Sequence, residues 1–148
     1  MTEDVLQSFQ FYTAVKVRFA ETDANGHMSH VSAVIYMEQV RTEFLEALGL
    51  FDLKTIEREG KTFVLASQKI DYVQQAYFND RIRIYARVSR LGTSSMDIDY
   101  VAIHEQTRAV LMTGTSTVVH FDQNTQKSTP LPDDLRQRIA QAESRFHS

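Results

Sequence analysis

Near the start of the chain, apolar and polar positions alternate. Phe11, Thr13, Val15, Val17 and Phe19 share one face, with Tyr12, Lys16 and Arg18 on the other. A period of two, rich in β-branched and aromatic residues, predicts a strand. It runs into Glu21-Thr22-Asp23-Ala24-Asn25-Gly26, whose residue types favour a turn. The period then changes. Val31, Val34, Ile35, Met37, Val40, Phe44, Leu45 and Leu48 recur at spacings of three and four, which predicts a helix from Ser29 to Leu48 stopped by Gly49. From Val31 to Met37 no position is charged, so the first half of that helix is expected to be buried on all sides.

A polar connection, Phe51 to Thr62, with a short helix ending at Gly60, leads to four further strand-like segments. These are Phe63 to Phe78, Arg81 to Leu91, Ser95 to His104, and the nearly uncharged Arg108 to Phe121, which reads as central or interface-buried. The breaks at Asn79-Asp80, Leu91-Gly92-Thr93 and Glu105-Gln106-Thr107 are short enough for hairpins, which predicts an antiparallel meander. A last helix from Pro132 to Phe146 carries Leu135, Ile139, Ala142 and Phe146 on one stripe. One apolar helix and five strands imply an α+β fold, a five-stranded antiparallel sheet wrapped around one long central helix, plus a C-terminal helix.

Length and composition narrow the picture. The 148 residues form a single domain, 1–148, long enough for one sizeable core. With 43% hydrophobic and 24% charged residues the chain is ordinary globular protein. A net charge of −3 offers no global attraction for nucleic acid or an anionic membrane. Cysteine is absent, which removes disulfides, thiolate nucleophiles and cysteine-ligated metal sites. The opening Met1-Thr2-Glu3-Asp4 is acidic where a signal peptide is basic. The longest run without Asp, Glu, Lys or Arg, Ala109 to Phe121, falls short of the ~18 residues of a membrane helix. These features predict a soluble, cytoplasmic protein. The five glycines, at 26, 49, 60, 92 and 114, are too far apart for a dinucleotide fingerprint, a P-loop or a nucleophile elbow.

Candidate chemistry concentrates where the first strand meets the long helix. Thr22-Asp23 ends the strand, Gly26-His27 follows, Ser29-His30 opens the helix, and Glu38 and Arg41 stand three apart within it. With these residues the chain resembles the hotdog-fold acyl-CoA thioesterases of the 4-hydroxybenzoyl-CoA thioesterase type. The likeness continues more loosely through Ile70-Asp71-Tyr72, the Phe78-Asn79-Asp80 turn and Pro130-Leu131-Pro132, and so covers Thr13 to Leu135. Many relatives carry Asn-Asn in place of Ser29-His30 and an aromatic in place of Ala33; a bacterial branch keeps a histidine at the position of His30.

The resemblance implies that Asp23 is the catalytic carboxylate, acting as base toward water or as nucleophile, with His30 as its companion. It places Gly26, His27 and Val31 at the substrate. An ionised aspartate suits either role. Unpaired N–H groups at the helix start suit a developing oxyanion. The resemblance also implies no bound cofactor or metal, with coenzyme A entering as part of the acyl-CoA substrate. It further implies a homo-oligomer, a dimer or dimer of dimers with a shared active site, as the apolar Ala109–Phe121 segment independently suggests.

Each residue also has a plainer reading. Asp23 suits an Asx turn or helix cap as well as catalysis. His27 is expected to bond the turn's backbone, and His30 to serve either the site or packing. Glu38 is expected to pair, with Arg41 as one candidate. Asp23, His27 and His30 are ligand types for a metal, but no third histidine stands near. Arg81, Arg83, Arg87 and Arg90 form a solvated edge or meet coenzyme A phosphates. The competing class of function is a non-catalytic or carrier-protein-directed acyl-binding module.

Overall fold

The computed structural model describes Phe9 and residues 11–146, with side chains as far as residue 142. Strand β1 (Phe11–Lys16) leads through a 3-10 turn (Phe19–Glu21) to helix α1 (His30–Ala47) and the short α2 (Leu53–Glu59). Then follow β2 (Lys61–Tyr72), β3 (Arg81–Leu91), β4 (Ser95–His104), β5 (Val110–Asp122), the two-residue β6 (Lys127–Ser128) and α3 (Leu135–Phe146). The five long strands form one antiparallel sheet in the order β1-β3-β4-β5-β2, and β6 pairs with the end of β5.

The meander expected of the last four strands holds for β3, β4 and β5 alone. β2 stops at Tyr72, short of the expected Phe78, and pairs with β5 on the far edge, while β1 takes the place beside β3. The intervening residues 73–80 are therefore a crossover and not a hairpin. Val73 and Gln74 donate to the Leu111 carbonyl, and Ala76 accepts from Met28, so this connection passes beside the start of α1.

α1 lies in the concave face, chiefly over β1 and β3. Its N-cap is Ser29 and its C-cap Leu48, with Gly49 at φ 73° in the left-handed turn that ends it. Ala33, Tyr36, Met37, Val40 and Phe44 meet Ile82, Ile84, Ile98 and Met96 in the main core. Each such large aliphatic side chain contributes about 1.5–3 kcal/mol on burial. A smaller cluster of Phe9, Tyr85, Val101 and Ile103 covers part of the other face.

Two further expectations need correction, and one is met. The first half of α1 is not buried on all sides: Val31, Val34 and Ile35 are 56%, 47% and 52% exposed, because the sheet covers only one flank of the helix. Phe19 leaves the inner face, 76% exposed and edge-on to Phe78, since the strand ends at Lys16. The low charge of β5 follows from its central position between β4 and β2. Of the α3 stripe, Leu135 and Ala142 are buried, while the Phe146 side chain lies outside the described residues. Among the described residues no helix is long and apolar enough to cross a membrane.

Candidate active site

The turn before α1 is fastened to the helix by Glu21. Its carboxylate accepts the Arg18 N–H at 2.9 Å and the Tyr36 O–H at 2.6 Å on one oxygen, and pairs with Arg18 Nη2 at 2.8 Å on the other. Its backbone carbonyl accepts from Ser29 N–H at 2.8 Å and Ser32 O–H at 3.1 Å. The Arg18 hydrogen bond outweighs burial and, with the Tyr36 hydroxyl, lowers the Glu21 carboxyl from its ordinary 4.5 to about 2. Burial, then the Glu21 hydrogen bond, pushes the Tyr36 phenol well up. A buried carboxylate with all these partners is a rigid joint.

Two residues on, Asp23 is exposed. One carboxylate oxygen, Oδ1, accepts the N–H groups of Asn25 at 2.8 Å and His27 at 3.2 Å, which makes an Asx turn. The Asp23 N–H donates to the His27 carbonyl at 2.8 Å, and Gly26, at φ 79°, closes the turn onto the Asp23 carbonyl at 3.1 Å. The other oxygen, Oδ2, accepts no hydrogen bond among the described residues. The Asx-turn reading and the site reading are thus compatible, because each uses a different oxygen.

Met28 is buried and donates to Ala76, which draws the 73–80 crossover against the helix start. Ser29 caps α1 by accepting the Ser32 N–H at 3.3 Å. The N–H groups of His30 and Val31, the first two of the helix, donate to nothing among the described residues. Beside them opens a cleft of about 310 Å³ lined by Asp23, Met28, His30 and residues 72–76. The Tyr72 hydroxyl donates to the His30 carbonyl at 2.8 Å across its mouth.

The structure therefore brings Asp23 and His30 to one cleft. Gly26, His27 and Val31 do not line it in the single chain. His27 packs edge-on against Tyr77, ring centres 5.0 Å apart, and braces the turn. Val31 is exposed on the outer flank of α1. Glu38 is also exposed and does not pair with Arg41, which reaches away to Gln68 at 3.3 Å and Ser116 at 3.4 Å. Among the described residues no three His, Asp or Glu side chains converge as a metal-ligand group. Three of the four arginines of the stripe meet carboxylates: Arg87 with Asp99 and Arg90 with Asp97 on β4, and Arg83 with Glu105 in the turn after it.

Sequence reasoning missed Glu21, Tyr36 and the crossover wall Tyr72–Ala76. Glu21 stands in the quoted motif, but its partners Tyr36 and Ser32 are tertiary contacts. The wall arises from the crossover of β2, which hairpin spacing conceals.

A larger cavity of about 810 Å³ lies at the opposite end of α1, among Leu50, Phe51, Ile56, Phe63, His120 and Leu131.

Residues 17–139 match the profile of the thioesterase-like superfamily. The chain is 31% identical over 132 residues to the uncharacterized protein YsmA of Bacillus subtilis, covering 89% of this chain and 86% of that one. It is 26% identical to the long-chain acyl-CoA thioesterase FadM of Escherichia coli, over 87% of this chain and 96% of the relative. Among solved structures it is similar to the Staphylococcus aureus protein SAV2348 in complex with CoA, at a TM-score of 0.83 and 17% identity, covering 90% and 84% of the two chains. That last likeness bears on the fold, which is the sheet-around-helix arrangement described above.

Proposed function

The chain belongs to the thioesterase-like superfamily, and from that premise we propose that it hydrolyses an acyl-CoA thioester to a free carboxylic acid and coenzyme A. One observation carries the assignment of the site. A carboxylate with one oxygen tied into its own turn and the other unbonded sits at the lip of a cleft, beside the free N–H end of a helix.

In the proposed reaction the thioester carbonyl lies over the first turn of α1, where the His30 and Val31 N–H groups receive the developing oxyanion. Removing one such donor from a comparable site typically costs about 10²–10³ in kcat. Water attacks the carbonyl carbon as the free Asp23 oxygen takes its proton, and His30 holds that water from the other side of the cleft. In the nucleophilic variant Asp23 attacks first and water then cleaves the resulting anhydride. In both routes the carbon–sulfur bond breaks. Coenzyme A leaves as a thiolate with a pKa comparable to the ~8.5 of cysteine, so little acid assistance is required.

We further propose that the working unit is a homo-oligomer, a dimer or dimer of dimers. The exposed Val31–Val34–Ile35 flank of α1 and the long edge strand β2, with Val64 and Leu65 exposed, are the surfaces that would be covered. Such an edge is a template for pairing with another chain. Coverage of this flank would bring Val31 to the pocket, as the resemblance implies.

The test is release of free thiol from a panel of acyl-CoAs, with sedimentation in parallel. Turnover that survives prolonged EDTA is expected, because the carbonyl is polarised by helix N–H groups. No thiol release from any acyl-CoA, with acyl-CoA still bound, would favour the acyl-binding module instead. A fully active monomer would remove the shared site.

A further inference from the structure

The inner face of the sheet beside β2 holds a polar cluster that the reaction above does not use. On paired strands, Gln68 lies opposite Ser116, and Tyr100 lies opposite Gly114. Ser116 is fully buried and donates to Gln68 Oε1, while the Gln68 Nε2 donates to the Lys69 carbonyl. Arg41 extends from α1 and donates through Nη1 to Gln68 Oε1 and Ser116 Oγ. Among the described residues no carboxylate stands within ion-pair distance of Arg41, and every group it touches is neutral.

Beside it, Tyr100 is 1% exposed and its hydroxyl faces Ser116 and Arg41 without forming a bond of acceptable geometry. Burial, the dominant influence, raises the phenol above its ordinary value, so it stays a neutral donor. A half-buried guanidinium with unused donors and a buried hydroxyl with none satisfied is an unusual pair to leave inside a fold.

The cluster also has a definite relation to the cleft. Arg41 follows His30 by eleven residues, about 16 Å along the helix. Gln68 precedes Tyr72 by four, about 13 Å along the strand. Tyr72 bonds His30 at one end and Gln68 bonds Arg41 at the other, so two hydrogen bonds tie β2 to α1 at either end of this span. Between them, Val34 and Ile70 are apolar and at least partly accessible, Met37 is fully buried, and the Glu38 carboxylate is exposed at the margin. The span between the two contacts starts at the reacting end and finishes at Arg41.

We infer that Arg41 and Tyr100 form a recognition subsite for an acyl group whose far end carries an oxygen acceptor, a carboxylate above all. The inference rests on the thioesterase reading and specifies the substrate class for it. The guanidinium supplies paired donors to the carboxylate, and the phenol supplies a third. Gln68 and Ser116 hold the guanidinium in place.

Two measurements test it. In the first, kcat/KM is compared for saturated, ω-hydroxy and ω-carboxy acyl-CoAs over a ladder of chain lengths. At the best length the ω-carboxy compound is expected to exceed the saturated one by at least ~10-fold, which is about 1.4 kcal/mol. That ratio should fall toward one in Arg41→Met, and by several-fold in Tyr100→Phe, which deletes a single oxygen and keeps the protein testable if Arg41→Met does not fold. A preference for ω-hydroxy over ω-carboxy would overturn the carboxylate assignment. Equal handling of ω-carboxy and saturated chains at every length, or a ratio unchanged in both variants, would overturn the subsite. In the second, the free dicarboxylic acids are titrated against the protein and binding is read by calorimetry. Binding that weakens in Tyr100→Phe upholds the subsite even if no thioester is cleaved, and no binding together with no preference refutes it.

Discussion

At its N-terminal end α1 presents two unpaired N–H groups, an exposed carboxylate with a free oxygen, and a cleft of about 310 Å³. At its C-terminal end it faces a cavity of about 810 Å³. There two of the polar side chains on its wall, Arg138 and His120, are already engaged. Arg138 donates to the Gly49 carbonyl at 2.8 Å and pairs with Asp134 at 2.9 Å. His120 donates through Nδ1 to the Pro130 carbonyl at 2.8 Å and stacks on Phe63 at 4.9 Å. The helix dipole also differs in sign, with its positive end at the small cleft. An oxyanion is stabilised at that end and opposed at the other. Chemistry, not volume, distinguishes the two.

The comparison breaks first at Glu21, which fastens the N-terminal end. Glu21→Ala leaves the Tyr36 hydroxyl without its acceptor and removes the carboxylate's ties to Arg18 and Tyr36, so the Asp23 turn is held to α1 by the Glu21 carbonyl alone. It should lower kcat by about tenfold and stability by ~1–3 kcal/mol, read by thiol release and denaturant unfolding. Wild-type activity in that variant would show that the turn needs no anchor. At the C-terminal end, Gly60→Ala forces a left-handed residue at φ 70° against the Asn124 side chain and should cost about 1 kcal/mol of stability. Its kcat/KM should stay within a factor of two, because nothing near Gly60 reaches the cleft.

The pH dependence of stability sharpens the same contrast. Glu21 titrates near 2 in the folded protein against an ordinary 4.5, so its carboxylate stabilises the fold at pH above about 4.5. That contribution is lost as pH falls from 4.5 toward 2. Glu21→Gln should therefore show a shallower loss of stability than wild type over this window in acid unfolding curves. An identical slope would mean that Glu21 is not held as an anion. The smallest effect is expected for Arg58→Ala on the wall of the larger cavity: a change in kcat/KM below twofold. A tenfold loss there would reverse the ranking of the two ends.

Much of this was legible in the chain. Alternation gave β3 and β4 their bounds, Arg81–Leu91 and Ser95–His104, and the Ser29 cap and Gly49 stop bounded α1. Thr22-Asp23 through His30 pointed to the cleft, because a turn and a helix start are local. What stayed hidden was non-local. The exchange of places between β1 and β2 depends on pairing between residues 40 to 61 apart, from Tyr72 with Met112 to Lys61 with Asp122. The exposed flank of α1 looked like core because a sequence records hydrophobicity but not which surface covers it. The arginine stripe looked like a free basic edge until β4 placed Asp97 and Asp99 opposite it.

The most direct measurement is a crystal structure with a non-hydrolysable 2-oxoalkyl thioether analogue of an acyl-CoA, in which a methylene separates the sulfur from a retained carbonyl. The atom standing for the thioester carbonyl carbon should lie within about 3–3.5 Å of the free Asp23 oxygen or of a water it holds, with its oxygen on the His30 and Val31 N–H groups. Density for the thioether in the larger cavity among Ile56, Phe63 and His120, with the Asp23 cleft empty, would contradict the account.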